Sequence, residues 1–298
     1  MTIKEDHGKY GNINRKFLAG IYKPAPTEML MKLSAALLAP LPINCDLRKL
    51  VGPLEVYNQG GLGSCTANAI AAAYKIMSII KHRRNVSLSR LFIYYNERVM
   101  IDKVNEDSGA YIKDGFISMQ KQGACVETMW PYVESRLTTR PTYPCYLEAR
   151  NHRTNGYNSQ LDPFNMVYSI KQCLALKLPV VIGVMVYESF QADRAAKTGL
   201  IPLPNTQTER LLGGHALTCV GYDDDKQHFI VLNSWGTVWG DKGMCYIPYA
   251  FVANNDLCND CHAFMSVELK LLGDDDEPPE DIFNCVSPGN IFGNCKTC

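Results

Sequence analysis

Residues 213–249 read GGHALTCVGYDDDKQHFIVLNSWGTVWGDKGMCYIPY. Three runs in this stretch, HALTCVGYD, HFIVLNSW and MCYIPY, are rich in β-branched and aromatic residues. Gly and Asp clusters bound them, which is the pattern of short strands joined by tight connections. His215 stands at the start of the first run, and Asn233 closes the second, eighteen residues later. Antiparallel neighbours of that length bring two such side chains together at one end of a sheet. A lone histidine is usually a satisfied core or surface residue. One that follows two glycines and faces an asparagine is a candidate for proton transfer.

Strand chemistry continues outward in PVVIGVMV (179–186) and FMSVEL (264–269), with one helix, NMVYSIKQCLALK (165–177), ahead of them. The preceding part of the chain is different. ANAIAAAYKIMSIIKH (67–82), LSRLFIYYNERVM (88–100) and YIKDGFISMQKQG (111–123) place apolar residues at helical spacing, and Gly123 reads as a helix stop. The expected class is therefore α+β, with a helical lobe over about 45–155 and an antiparallel β lobe over about 156–272. Residues 1–40, punctuated by Pro24, Pro26 and Pro40, form a lead segment. Residues 273–298 form an acidic, cysteine-bearing tail.

The helical lobe opens on VYNQGGLGSCT (56–66). A thiol at a helix start gains from the macrodipole and from unpaired amide N–H groups, both of which favour thiolate. Cys65 is thus a candidate nucleophile. Gly60, Gly61 and Gly63 allow a sharp turn and close approach of substrate, and Gln59 can offer its side-chain amide to the same place. The plainer reading of this segment alone, a buried cysteine beside a flexible turn, carries about equal weight.

Composition narrows the partners. The chain has 298 residues and 46% hydrophobic content, enough for a large core, and its 30 basic and 30 acidic side chains cancel. That balance argues against a nucleic-acid or anionic-membrane footprint. The N-terminus lacks the charged and apolar regions of a secretory signal, and EMLMKLSAALLAPLP (28–42) is too short to span a bilayer. Localisation stays open between cytoplasmic, virion and vacuolar settings. Twelve cysteines are irregularly spaced. Cys258 with Cys261, and Cys295 with Cys298, have C-x-x-C spacing, but the long gap between the pairs favours a disulfide or free thiols over zinc. No metal and no cofactor is expected.

Taken together, these motifs resemble those of the papain-like cysteine peptidases, the family that includes the cathepsins. NQGGLGSC is similar to the family's NQGxCGSC, GGHALTCVGYD to DHAVxxVGYG, and NSWGTVWGDKGMCYI to NSWGxxWGxxGYxxI; LPINCDLR and TMWPY extend the likeness over roughly residues 41–270. The resemblance implies a two-lobe fold, helical and β-barrel, with a cleft between the lobes and a peptidase domain over 41–272. It implies a Cys65 thiolate paired with a His215 imidazolium, Asn233 orienting the ring, Trp235 shielding that bond, and an oxyanion site from Gln59 and the Cys65 amide. An acyl-enzyme on Cys65 and hydrolysis of polypeptides by a monomer follow from it. By position, Gly109 and Ala110 would pair with substrate backbone, while Tyr111, Ile112, Gly183 and Gly214 would line an apolar subsite.

Departures are also legible. Leu62 replaces a half-cystine, Thr66 stands where the family has tryptophan, and only about forty residues precede the match. These changes are similar to bacterial and large-DNA-virus relatives carrying LGSCTANA. The lead segment is either a latency element, making the chain a zymogen, or a permanent strap. A transpeptidase or amide ligase would use the same four residues, whereas a catalytically silent binding protein would usually have lost one of them.

Overall fold

The computed structural model describes residues 40–154, 158–265 and 267. The expectations for the lead over 1–39, and for the tail with Cys295 and Cys298, lie outside the described residues.

Three helices of ten or more residues form the body of the first lobe. Helix α1 (Cys65–His82) is alanine-rich, and Ala67, Ala69, Ile70, Ala71, Ala73, Tyr74, Ile76 and Met77 are all buried. Small side chains with high helix propensity let it be enclosed on nearly every side. It ends at Arg83, which takes a left-handed conformation (φ 57°) and donates its N–H to the carbonyl of Ile79. Helix α2 (Arg90–Met100) starts where Ser89 accepts the Phe92 N–H at 3.0 Å and donates to the Trp130 carbonyl at 2.6 Å. Helix α3 (Ile112–Lys121) packs against α1 and α2.

The second lobe is a seven-stranded antiparallel sheet, covered on one side by helix α4 (Met166–Ala175). Its strands are β1 (Asn44–Asp46), β2 (Asn158–Gln160), β3 (Val180–Tyr187), β4 (Leu211–Asp223), β5 (His228–Leu232), β6 (Met244–Pro248) and β7 (Cys258–Phe264). The order is β2-β7-β3-β4-β5-β6, with β1 pairing the far end of β4. Two expected boundaries move. Cys45 and Asp46 belong to the sheet, opposite Tyr222 and Gly221, and not to the helical lobe. The strand expected to start at His215 begins four residues earlier, at Leu211, so His215 lies within β4. Cys258–Phe264 also forms a strand, which carries the first C-x-x-C pair, while the strand expected at 264–269 falls partly outside the described residues. CNDCHAF has weak strand propensity; pairing with β3 on one side and β2 on the other overrides it.

The lobes share one continuous core. Thr218 on β4 donates its hydroxyl to the Ala69 carbonyl of α1 at 2.9 Å. The chain entering α1 also adds to the end of the sheet: Gln59 N–H donates to the Ser234 carbonyl at 2.9 Å, Gly236 N–H to that of Tyr57 at 3.0 Å, and Asn58 bridges Trp235. No helix among the described residues is long and apolar enough to cross a membrane.

Candidate active site

Cys65 is the first residue of α1 and is partly open to solvent. Ser64 precedes it but does not cap the helix with its side chain; its hydroxyl instead pairs with Tyr132 Oη at 2.6 Å and accepts from Asn68 Nδ2 at 3.0 Å. The first-turn amides therefore keep their N–H groups for the sulfur. Burial, with repulsion from Glu97 when that carboxylate is charged, pushes the Cys65 thiol up to about 11, while hydrogen bonds from the backbone amides of Ala216, Thr66 and Cys65 itself act in the opposite direction. Ala216 directly follows His215 on β4, so the sulfur lies against the strand that carries the histidine.

The glycine turn ahead of Cys65 is held by carboxylates. Gly60 has φ +59°, a left-handed conformation that favours glycine, and an added Cβ there would displace the Glu134 carboxylate. Gly61 N–H donates to Glu134 at 3.1 Å and Gly63 N–H to Asp107 at 2.9 Å. Arg90 stacks on Tyr57 and Tyr132, 4.5 and 4.2 Å from the ring centres, while pairing with Glu127. Tyr132 then donates to the Gln59 carbonyl at 2.8 Å. Tyr57, Arg90 and Tyr132 lie in the quoted stretches, but Glu134, Asp107 and Glu127 do not, because each meets the turn or its supporting residues across tens of residues.

Gln59 is buried, and its amide orientation is set from both ends. Ser234 Oγ donates to its Oε1 at 2.7 Å, and its Nε2 donates to the Leu62 carbonyl at 2.9 Å, which leaves the second amide hydrogen uncommitted. Asn233, at the end of β5, is also buried. Its Oδ1 accepts from the Ser234 backbone N–H at 2.8 Å and contacts His215 Nε2 at 2.8 Å. The Trp235 indole stacks on the His215 ring, with centres 4.7 Å apart and planes 24° from parallel, and Trp239 meets Trp235 edge-on. Burial holds His215 down to about 4, opposed by its bond to Asn233. The sequence leads to an expected thiolate–imidazolium pair; enclosure works against both of those charges, so the attraction between them, with the amide and Asn233 hydrogen bonds, must sustain it.

The expected subsite residues fare unequally. The Gly109 N–H is already bonded to Tyr94 Oη at 3.0 Å and its carbonyl to Ser108 Oγ at 2.9 Å, so the amide expected to meet substrate is engaged within the lobe. Tyr111 is exposed at the start of α3, and Ile112 is buried. On β3, Gly183 lies beside Ile112: a Cβ at 183 would sit 3.4 Å from Ile112 Cδ1 and 2.7 Å from the Asn259 carbonyl. Gly214 is exposed and pairs with Met185. Cys258 and Cys261 are buried with sulfurs 3.8 Å apart. Among the described residues no group of three or more His, Cys, Asp or Glu side chains is arranged to hold a metal.

The likeness to known proteins agrees with this geometry. Residues 41–269 match the papain family of cysteine proteases, and the chain belongs to that family. It is 38% identical over 248 residues, 80% of this chain and 78% of the relative, to an uncharacterized peptidase C1-like protein of Acanthamoeba polyphaga mimivirus. Among solved structures, xylellain, a cysteine protease from Xylella fastidiosa, superposes with a TM-score of 0.69 at 35% identity, covering 84% of this chain and 91% of that one. The bromelain protease of Ananas comosus shares the fold at a TM-score of 0.58 and 22% identity, over 77% of this chain and 100% of that one. The protein is a cysteine protease, a hydrolase acting on polypeptides, built on the α+β fold of its family.

Proposed function

We propose that this protease works by covalent acyl transfer through Cys65. The observation that carries the reading is the joint arrangement of His215 against Asn233 with Cys65 at the uncapped start of α1, beside Ala216. In the proposed cycle His215 Nδ1 takes the thiol proton and the sulfur attacks the substrate carbonyl. The developing oxyanion accepts from the free Gln59 Nε2 hydrogen and the Cys65 N–H. His215 then protonates the leaving amine, and water, deprotonated by the same ring, hydrolyses the thioester.

Asn233 keeps the ring in one tautomer, and Trp235 keeps water from that bond. Substrate would lie extended across the start of α1, with Ala110 meeting its backbone. Tyr111, Ile112, Gly183 and Gly214 would receive an apolar side chain two residues before the scissile bond. The domain is proposed to span 41–272 and to act as a monomer.

Rapid quenching of a peptide ester reaction tests the chemistry directly. The intact mass should rise by the acyl group, the adduct should map to Cys65, and Cys65→Ala should show neither adduct nor turnover. Turnover that survives Cys65→Ala rules the mechanism out.

A further inference from the structure

Glu97 is a glutamate with no exposed surface, in the middle of α2, and the acyl-transfer cycle gives it no task. Its Oε2 accepts the Thr66 hydroxyl at 2.7 Å, while its Oε1 is buried without a partner. Thr66 adjoins Cys65 in the first turn of α1 and is itself buried. Space for the carboxyl is made by Gly115 on α3: a Cβ there would lie 2.2 Å from Glu97 Oε1 and 2.3 Å from Ile70 Cδ1. Three helices thus meet around one carboxyl group, whose single bond runs to the residue after the thiol. An acid buried with half its bonding capacity unused is costly, so a stability role alone accounts for it poorly.

We infer that Glu97 is a positioning residue for Cys65, holding the start of α1 through the Thr66 hydroxyl so that the sulfur and the first-turn amides keep their relation to His215. The inference rests on Cys65 as the nucleophile. Threonine stands where the family resemblance leads one to expect tryptophan, so a hydrogen bond anchored in α2 supplies here the restraint that a large ring would otherwise give by packing. The carboxyl must stay neutral to serve, since a charge at this point would oppose the thiolate. Burial raises the Glu97 carboxyl well above its ordinary range; Asp114 on α3 adds to that, and Arg98 and the Thr66 bond oppose it. Asp114 is in turn raised by burial and by Asp260 of β7.

The test compares Thr66→Val, Glu97→Leu, Glu97→Gln and the Thr66→Val/Glu97→Leu double variant in the full chain, each normalised to active sites titrated with a thiol reagent. Two readouts are used: kcat and KM on a fluorogenic peptide that the wild type cleaves, and the rate of Cys65 alkylation by iodoacetamide from pH 4 to 9. Misplacement of a reacting group by about an ångström costs on the order of 100-fold. The loss expected for Thr66→Val and Glu97→Leu is accordingly about tenfold or more in kcat, with KM moving less than about twofold.

Alkylation should slow in parallel, the double variant should be no worse than either single one, and Glu97→Gln, which retains an acceptor, should recover most of kcat. If Thr66→Val folds and keeps wild-type kcat and alkylation rate, the inference is overturned, whether or not Glu97→Leu folds. Cys65→Ala, run alongside, separates the failures: turnover surviving in it removes the nucleophile and this inference together, whereas turnover lost in it but unaffected in Thr66→Val removes the inference alone.

Discussion

His215 Nε2 and the Ser234 backbone N–H converge on one atom, Asn233 Oδ1, each at 2.8 Å. A backbone N–H can only donate, so the shared atom is an acceptor oxygen. His215 Nε2 must then carry a hydrogen, and in the neutral ring Nδ1 becomes the basic nitrogen. The tautomer follows from a main-chain donor, which no side-chain rotation can reverse. Asn233→Ala frees the ring to take either tautomer and removes the partner of a buried N–H. It is expected to lower kcat by about 100-fold, in the usual range for disabling an acid–base group. Asn233→Asp keeps the acceptor and adds a negative charge, which favours imidazolium; the acid limb of the pH–rate profile should move to higher pH. A profile indistinguishable from wild type would show that Oδ1 does not govern this ring.

Gln59 is expected to act only when charge develops on the substrate oxygen. Its carbonyl end is held by Ser234 and its amide end by Leu62, so the remaining hydrogen is fixed in direction before substrate arrives. Gln59→Ala should lower kcat by about 100- to 1000-fold with little change in KM, the signature of a lost oxyanion donor. Ser234→Ala removes only the restraint on orientation and should cost less. Steady-state kinetics of the two variants checks the order; a larger loss in Ser234→Ala would contradict it.

Much of this site was legible in sequence because its parts sit at strand and helix ends marked by glycine and by local motifs. Asn233 just past β5 and Cys65 at the head of α1 follow from periodicity and punctuation within a dozen neighbours, whereas His215, expected at a strand start, lies within β4, which pairs with β3 from Leu211 onward. Residues joined to the site only by the tertiary fold were not legible. Glu97 meets Thr66 from thirty-one positions away, and Asp107 meets Gly63 from forty-four; neither spacing has a local signature. The β7 strand was not legible for a related reason, since a bulge against β3 within 259–262 admits a segment whose local strand propensity is weak. The balance of charge at the thiol also escaped the sequence. Helix-start arguments favour thiolate, while the degree of enclosure, which pushes the other way, depends on everything packed around the sulfur.

That balance gives a pH prediction. The thiol is pushed up to about 11 and His215 held down to about 4. Between those values the pair carries one proton, and proton transfer between sulfur and ring is not itself pH-dependent. Below the lower value both groups are protonated and Nδ1 cannot accept. The rate of Cys65 alkylation should therefore rise through about pH 4 and then stay level across neutrality. His215→Ala removes the acceptor, so its rate should instead climb about tenfold per pH unit toward the thiol's own pKa, as for an isolated thiol. Iodoacetamide kinetics with peptide mapping reads both. A wild-type rate that climbs tenfold per unit through pH 7 would mean that the histidine does not share the thiol's proton.

The buried Glu97 carboxyl predicts a second pH effect, on stability. Its pKa is raised in the folded protein, chiefly by burial. Above the ordinary carboxyl value of about 4.3, the unfolded chain releases a proton that the folded chain keeps, so the folded state binds more protons and its stability falls as pH rises. Below that value both states are protonated and the penalty vanishes. While Glu97 stays protonated in the fold, each pH unit above the unfolded value costs about 1.4 kcal/mol. Glu97→Gln has no such proton. Measured by denaturant melts at pH 5, 6 and 7, the stability of Glu97→Gln relative to wild type should therefore increase steadily with pH. Taking this difference cancels the titrating groups that do not interact with Glu97, since those behave alike in both proteins. A difference that is flat over the range, or that shrinks as pH rises, would place the folded-state pKa of Glu97 at or below its ordinary value and so require the carboxylate to be charged beside Thr66.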